Sequence, residues 1–189
     1  MVSQFVSPDD VVLLGSLDFD FPEGIHAVGR LDNHSEGLLI LTTDKRVTRL
    51  LFNTKVPHKR TYYVQVNHVL GEEHIKQLID GVPIKVEGGE MYLAKAVHAE
   101  LIPCPPLFKR VLNEYEEKIP NSWLSITLTE GKFHQIRKMV AALHQRCRRL
   151  IRMSIEDLLL GDLPPGQVKE FAAEEFFKLL KIDANLYNN

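Results

Sequence analysis

Three short segments carry residue types that can do chemistry. In the first, Gly29-Arg30-Leu31-Asp32, a carboxylate follows an arginine and a leucine, just ahead of an apolar run. An aspartate at the mouth of a strand can act as nucleophile or base. It then needs a cation nearby to stay ionised once water is removed. The second, Arg60-Thr61-Tyr62, opens a strand-like run with a tyrosine that can stack on a planar ligand or pass a proton. The third runs from Glu130 to Met139 and sets Lys132, His134, Gln135, Arg137 and Lys138 at the start of a helix that follows Gly131. Backbone N–H groups at such a helix start suit phosphate, and Arg137 can pair with a carboxylate through two hydrogen bonds. Each segment also has a plainer reading: Asp32 as a turn cap, Tyr62 as a sheet-face aromatic, the third as an amphipathic helix with a solvated face.

These segments need elements to hold them. Residues 38–43 read as one buried strand, and Asp44 can cap a helix over 45–53 with Val47, Leu50 and Leu51 as its apolar stripe. Residues 61–67, rich in β-branched and aromatic types, predict a strand. A short helix over 72–80 should end at Gly81, with strands at 82–86 and 91–101. The stretch 102–121 holds Pro103, Pro105, Pro106 and Pro120 and predicts a long irregular insertion that could divide two lobes. Residues 123–130 alternate as a strand should. In 133–144, Ile136, Met139, Val140 and Leu143 follow the helical period. Residues 148–155 predict a strand, Val168–Phe171 a short strand, and 173–181 a closing helix. Helices interleave with strands that often follow one another directly, so the expected class is α+β: a long mixed, mostly antiparallel sheet with flanking helices and a central cleft.

Composition narrows the function. The chain has 189 residues, 44% hydrophobic and 25% charged, with a formal net charge of −2. That length suffices for one sizeable core. No apolar run reaches the roughly 18 residues of a membrane span, and the N-terminus lacks the pattern of a secretory signal. Cys104 and Cys147 lack a metal-site or disulfide spacing, and none of the eight histidines shows a zinc motif, so the expectation is a cytoplasmic protein without metal. The charge is segregated. Lys132, Arg137, Lys138, Arg146, Arg148, Arg149 and Arg152 follow the single acid Glu130, and Lys45, Arg46, Arg49, Lys55, Lys59 and Arg60 follow Asp44. Two such segments can attract a polyanion locally.

Taken in order, the segments VGRLDNHSEGLLILTTD, RTYYVQV, EGKFHQIRKM, RRLIRM and LGDLPPGQVKEF resemble the pseudouridine synthases of the small-subunit type over roughly residues 26–171. The resemblance is to compact members that act on large-subunit ribosomal RNA without a separate N-terminal RNA-binding domain. It implies a single catalytic domain over 1–189, with the family's first strand absent at the N-terminus. It implies Asp32 as the catalytic aspartate, Tyr62 packing on the target base, and Arg137 paired with Asp32. Leu150 would line the pocket, and Arg30 would position the motif loop or a phosphate. Lys132, His134, Gln135, Lys138 and Arg152 would contact RNA. The implied reaction breaks the uridine glycosidic bond and rejoins the base through C5, with no cofactor and no metal, and the expected state is a monomer. Three positions depart from the family pattern. Arg60 replaces a usual lysine, Phe133-His134 replaces Asn-Arg, and His144-Gln145-Arg146 replaces a Gly-His-Pro turn. The alternatives are an inactive RNA-binding module and the same isomerase acting on small-subunit ribosomal RNA or transfer RNA. A hydrolase pairing Asp32 with a histidine fits less well, because no histidine motif carries a clear orienting partner.

Overall fold

The computed structural model describes residues 1–52, 56–106 and 120–182. In chain order its strands are β1 (His26–Ala27), β2 (Glu36–Gly37), β3 (Leu41–Thr42), β4 (Arg60–Asn67), β5 (Val82–Lys85), β6 (Met91–Ala94), β7 (His98–Ile102), β8 (Asn121–Leu128), β9 (Cys147–Ile155) and β10 (Leu158–Leu159). The α-helices are α1 (Arg46–Phe52), α2 (Glu72–Asp80), α3 (Gln135–Ala142) and α4 (Ala173–Leu179).

The β-branched run of β4 forms the middle of the main sheet. Val64 and Val66 are fully buried, and β8 and β9 pair antiparallel on its two sides. β7 extends the sheet beyond β8, and β10 folds back on β9. β2 joins β9 in parallel, which makes this six-stranded sheet mixed but mostly antiparallel, as expected. Two smaller ribbons, β1–β3 and β5–β6, stand beside it.

Successive side chains of a strand point to opposite faces, so β9 feeds several cores at once. Leu150 packs with α2, α3 and the β5–β6 ribbon, through Ile75, Leu78, Ile136, Met139 and Val140. Ile151 packs on the other face against Trp123. At the strand's end Ile155 meets Val28, Leu38, Ile40 and the apolar stripe of α1. Full burial of each such side chain contributes about 1.5–3 kcal/mol.

The local signals held where one element could satisfy them alone. α1 begins two residues after Asp44, whose carboxylate accepts the Arg46 backbone N–H at 2.9 Å. The Arg46 guanidinium holds that carboxyl below its ordinary range. α2 ends at Gly81, as predicted.

Four expectations changed. Of the strand expected over 38–43 only Leu41–Thr42 (β3) pairs, while β2 lies just ahead of it in a different sheet, because Gly37 takes φ +104° and turns the chain from β9 toward β1. The strand over 91–101 divides into β6 and β7. The Ala96 N–H is drawn to the Leu78 carbonyl at the end of α2, which breaks the ladder. α3 is shorter than 133–144, since His134 and His144 sit in the left-handed region at its two ends. Residues 168–171 form no ladder, while β10 is an addition. Most of the Pro-rich stretch, Lys55 and residues 183–189 lie outside the described residues. The flanks of that stretch, β7 and β8, pair directly in one sheet, with Ile102 opposite Trp123.

Gly37 tests the β2–β9 junction. A Cβ there would lie 2.3 Å from the Arg152 carbonyl oxygen, whereas at Gly24, also left-handed, nothing stands within 4 Å. Gly37→Ala should destabilise the fold by on the order of 2–4 kcal/mol, and Gly24→Ala by only about 1 kcal/mol. Urea unfolding reads this directly, as a large fall in midpoint for the first and a small one for the second.

Candidate active site

The loop carrying Asp32 is held from several sides. Val28 is fully buried and donates its N–H to the Ile40 carbonyl, which ties the loop's entrance to the segment before β3. The Ser3 hydroxyl accepts from the Leu31 N–H at 2.9 Å, so the N-terminal segment braces the residue next to Asp32. The Ser35 N–H donates to the Asp32 carbonyl, closing a tight turn in which His34 is left-handed. Arg30 is exposed and borders an open groove of about 300 Å³ shared with Phe5 and His26.

β4 and β9 supply the floor. Tyr62 stands opposite Arg152 in the ladder, and Val64 opposite Leu150. Tyr62 is half-buried against the main core to which Leu150 belongs. Arg152 is only 4% exposed. Its Nε donates to the Leu38 carbonyl at 2.8 Å, while its Nη2 is buried without a hydrogen-bond partner. Burial pushes this guanidinium below its ordinary pKa. Neighbouring Tyr62 and Asp32 favour its charge, and Arg60 opposes it. Arg60 is itself buried, with its guanidinium 5.3 Å from the centre of the Phe52 ring. An unpaired charged donor is costly inside a protein, and a ligand or a water is the usual kind of acceptor to look for.

α3 supplies the wall. Arg137 Nη2 donates to the His34 carbonyl at 2.7 Å and to the Ser35 hydroxyl at 3.3 Å. The expected Arg137–Asp32 ion pair is therefore replaced. Arg137 clamps the backbone two residues beyond Asp32, and the group facing the carboxylate is His134, with Nε2 3.8 Å from Oδ1. Reasoning by residue type favours a carboxylate for a guanidinium, but two acceptors on the adjacent turn lie within easier reach. His134 was expected to contact RNA; its proximity to Asp32 was not anticipated.

Gln135 does not face solvent. It is buried, its amide nitrogen donates to Glu130 at 2.7 Å, and its amide oxygen accepts the Lys132 N–H at 2.8 Å. The second Glu130 oxygen accepts from the Tyr92 hydroxyl at 2.6 Å, which raises the pKa of that phenol. This network fixes the turn that opens α3. The sequence signal for it was the Glu130–Gln135 spacing next to a glycine. Lys132 is exposed, with its ammonium 5.0 Å from the Tyr92 ring centre, and Lys138 lies 5.4 Å from that of Phe133. Of the other bases, Arg149 is engaged by Glu36 at 2.7 and 2.9 Å, whereas Lys45, Arg49, Lys59 and Arg146 are exposed. Among the described residues there is no group of three or more histidine, cysteine, aspartate or glutamate side chains that could hold a metal ion. No helix among them is long and apolar enough to cross a membrane.

A part-exposed aspartate and a half-buried tyrosine both lie within electrostatic reach of a buried arginine with a spare donor, and His134 at the start of a basic helix faces the aspartate. The family model described as RNA pseudouridylate synthase matches residues 13–142, which include Asp32, Tyr62 and Arg137. The chain belongs to the RNA pseudouridylate synthase family. It is 37% identical over 170 residues to ribosomal large subunit pseudouridine synthase E of Vibrio parahaemolyticus, covering 89% of this chain and 68% of that protein. It is 37% identical over 149 residues to the protein of the same name from Xanthomonas axonopodis pv. citri, covering 78% of this chain and 76% of the other. A crystal structure of a pseudouridylate synthase superposes with a TM-score of 0.65 at 27% identity, over 85% of this chain and 63% of that one. The chain thus spans between 63% and 76% of these proteins' own lengths. The α+β sheet with flanking helices is the pseudouridylate synthase fold.

In this family member the Glu130–Gln135 network braces the turn that carries His134 and opens the helix of Arg137. Gln135→Ala would leave Glu130 without its amide donor and the Lys132 N–H without its acceptor. The expected cost is about 1–3 kcal/mol, seen as a lower thermal midpoint. Arg137→Lys loses the guanidinium geometry but leaves that network intact, so its midpoint should fall by less.

Proposed function

We propose that this chain isomerises a specific uridine of large-subunit ribosomal RNA to pseudouridine, with Asp32 as the catalytic carboxylate. The observation that carries the reading is the placement of Asp32. It lies close enough to the Arg152 guanidinium, which has one unpaired nitrogen, to favour its charge, and Tyr62 is the neighbour of Arg152 across the ladder. The names of the relatives favour the large subunit as the source of RNA.

A uridine within a duplex cannot reach this cleft, so the nucleotide is flipped out. Tyr62 offers a flat face for the extruded base, a contact worth about 1–3 kcal/mol in aromatic–base stacks. The spare Nη2 donor of Arg152 suits an acceptor oxygen on the substrate. Asp32 either attacks the ribose C1′ or takes a proton from the sugar, and in both cases the bond from C1′ to N1 breaks. The free uracil turns, a new bond joins C1′ to C5 as Asp32 leaves C1′ or returns the sugar proton, the C5 proton leaves and N1 gains one. Arg137 keeps the Asp32 turn in place by its grip on His34 and Ser35. The exposed bases Lys45, Arg49, Lys59, Lys132 and Arg146 hold the flanking phosphates, so affinity should weaken with salt.

Loss of the C5 proton gives the test. Unmodified 23S ribosomal RNA carrying 5-tritiated uridine should release tritium with this chain, and Asp32→Asn should slow release by on the order of 10⁴-fold with RNA binding kept. Release from 16S RNA or transfer RNA but not from 23S would move the substrate to those molecules. RNA binding without release from any of the three would make the chain a binding module.

A further inference from the structure

We propose that Phe133 and His134 form a stacking ledge for the nucleobase immediately beside the flipped uridine. This rests on the uridine isomerase reading above. Phe133 is 68% exposed, although it belongs to a turn whose next two α3 residues, Gln135 and Ile136, are buried. Its ring lies parallel to that of His134, with centroids 3.9 Å apart and planes 17° from one another. His134 is held in the left-handed region at φ +54°, a conformation that costs a non-glycine residue energy and tends to persist where the site uses it. That backbone keeps the two rings together on the solvent side while Gln135 turns inward.

The placement favours RNA as occupant. The His134 end of the ledge reaches Asp32 at 3.8 Å, so whatever lies on the ledge adjoins the substrate at the carboxylate. The Lys138 ammonium sits 5.4 Å from the Phe133 ring centre, and Lys132 is exposed one residue before it. The acid nearest in sequence, Glu130, is bound to Tyr92 and Gln135. An aromatic plane edged by cations suits a base with its phosphate: the base covers the ring and Lys138 moves to the phosphate. Extruding one uridine leaves its neighbour with one stacking partner fewer, and the ledge supplies a replacement. Tyr62 lies in the ladder beside Arg152 and so serves the flipped base, which leaves the Phe133 surface for the neighbour.

Two measurements test this, one of them independent of catalysis. A single-stranded RNA dodecamer with alternating 2-aminopurine and uridine should lose fluorescence on binding the wild-type chain. Phe133→Leu, apolar but not planar, should bind about tenfold more weakly with less quenching, and Phe133→Trp should restore both. The salt dependence should be unchanged in Phe133→Leu but shallower by about one phosphate contact in Lys138→Ala. In tritium release from 23S ribosomal RNA, Phe133→Leu should lose about tenfold in kcat/KM, mainly through KM, with Phe133→Trp near wild type. Because Phe133 is exposed, equal thermal midpoints will show that these variants fold. Equal quenching and equal kcat/KM for wild type and Phe133→Leu would overturn the ledge, including the case where the ring instead meets a protein of an assembling particle. A wild-type chain that releases no tritium would sink the isomerase reading, and the dodecamer would still decide whether a base stacks on Phe133.

Discussion

The site depends on the junction at Arg152. Its backbone carbonyl accepts the Leu38 N–H at 2.8 Å, and its side-chain Nε donates to the Leu38 carbonyl at the same distance. One residue thus grips both polar groups of the chain just beyond the Asp32 turn, while its ladder partner across β4 is Tyr62. Three segments far apart in sequence meet through this contact. A guanidinium buried this deeply is costly unless its hydrogen bonds are made. Here one nitrogen is left unpaired beside the cleft. The fold therefore keeps a charged donor in reserve beside Tyr62 and within reach of Asp32.

The second support comes from α3, and it acts on backbone as well as side chains. Arg137 reaches the His34 carbonyl, and the turn before it is closed by Glu130, Gln135 and the Lys132 N–H. Fixing the carbonyls around Asp32, and not only the carboxylate, sets where the carboxylate can point. It also leaves the carboxylate facing His134, at 3.8 Å and part-exposed on both sides. The arrangement separates the groups that hold the loop from the carboxylate that the loop presents.

The parts of this structure that were legible in the sequence are those decided by short-range patterns. The run from Thr61 to Asn67 forms a strand, residues 72–80 a helix that stops at a left-handed glycine, and Asp44 a helix cap, because each satisfies its own backbone or apolar face nearby. The β2 and β3 strands were not legible. Each is two residues long, and they exist only because β9 and β1 offer partners. At the site, Asp32, Tyr62 and Arg137 stood out by type and order, and the family match spans all three. What escaped was the division of labour. Gln135 and Arg137 are both polar residues at a helix start, yet one is sealed in the interior and the other grips a loop. Nothing in residue type separates those fates, since burial is settled by what packs over the turn, here Tyr92 and Glu130.

Charge shows the same gap between composition and structure. The net charge of −2 hides two basic segments, and the segments in turn hide a further sorting. Arg60 and Arg152 are buried, Arg149 is spent on Glu36, and Arg46 pairs with Asp44 at the start of its own helix. The cations left in solvent, such as Lys45, Arg49, Lys59, Lys132 and Arg146, are fewer than the sequence advertises. An exposed cation gives an affinity that every nucleic acid shares and that salt erodes. A buried one beside a tyrosine and an aspartate acts over a few ångströms, where water no longer screens it. A family member of slight negative charge can therefore carry two kinds of cation, exposed ones that salt screens strongly and buried ones that it screens much less.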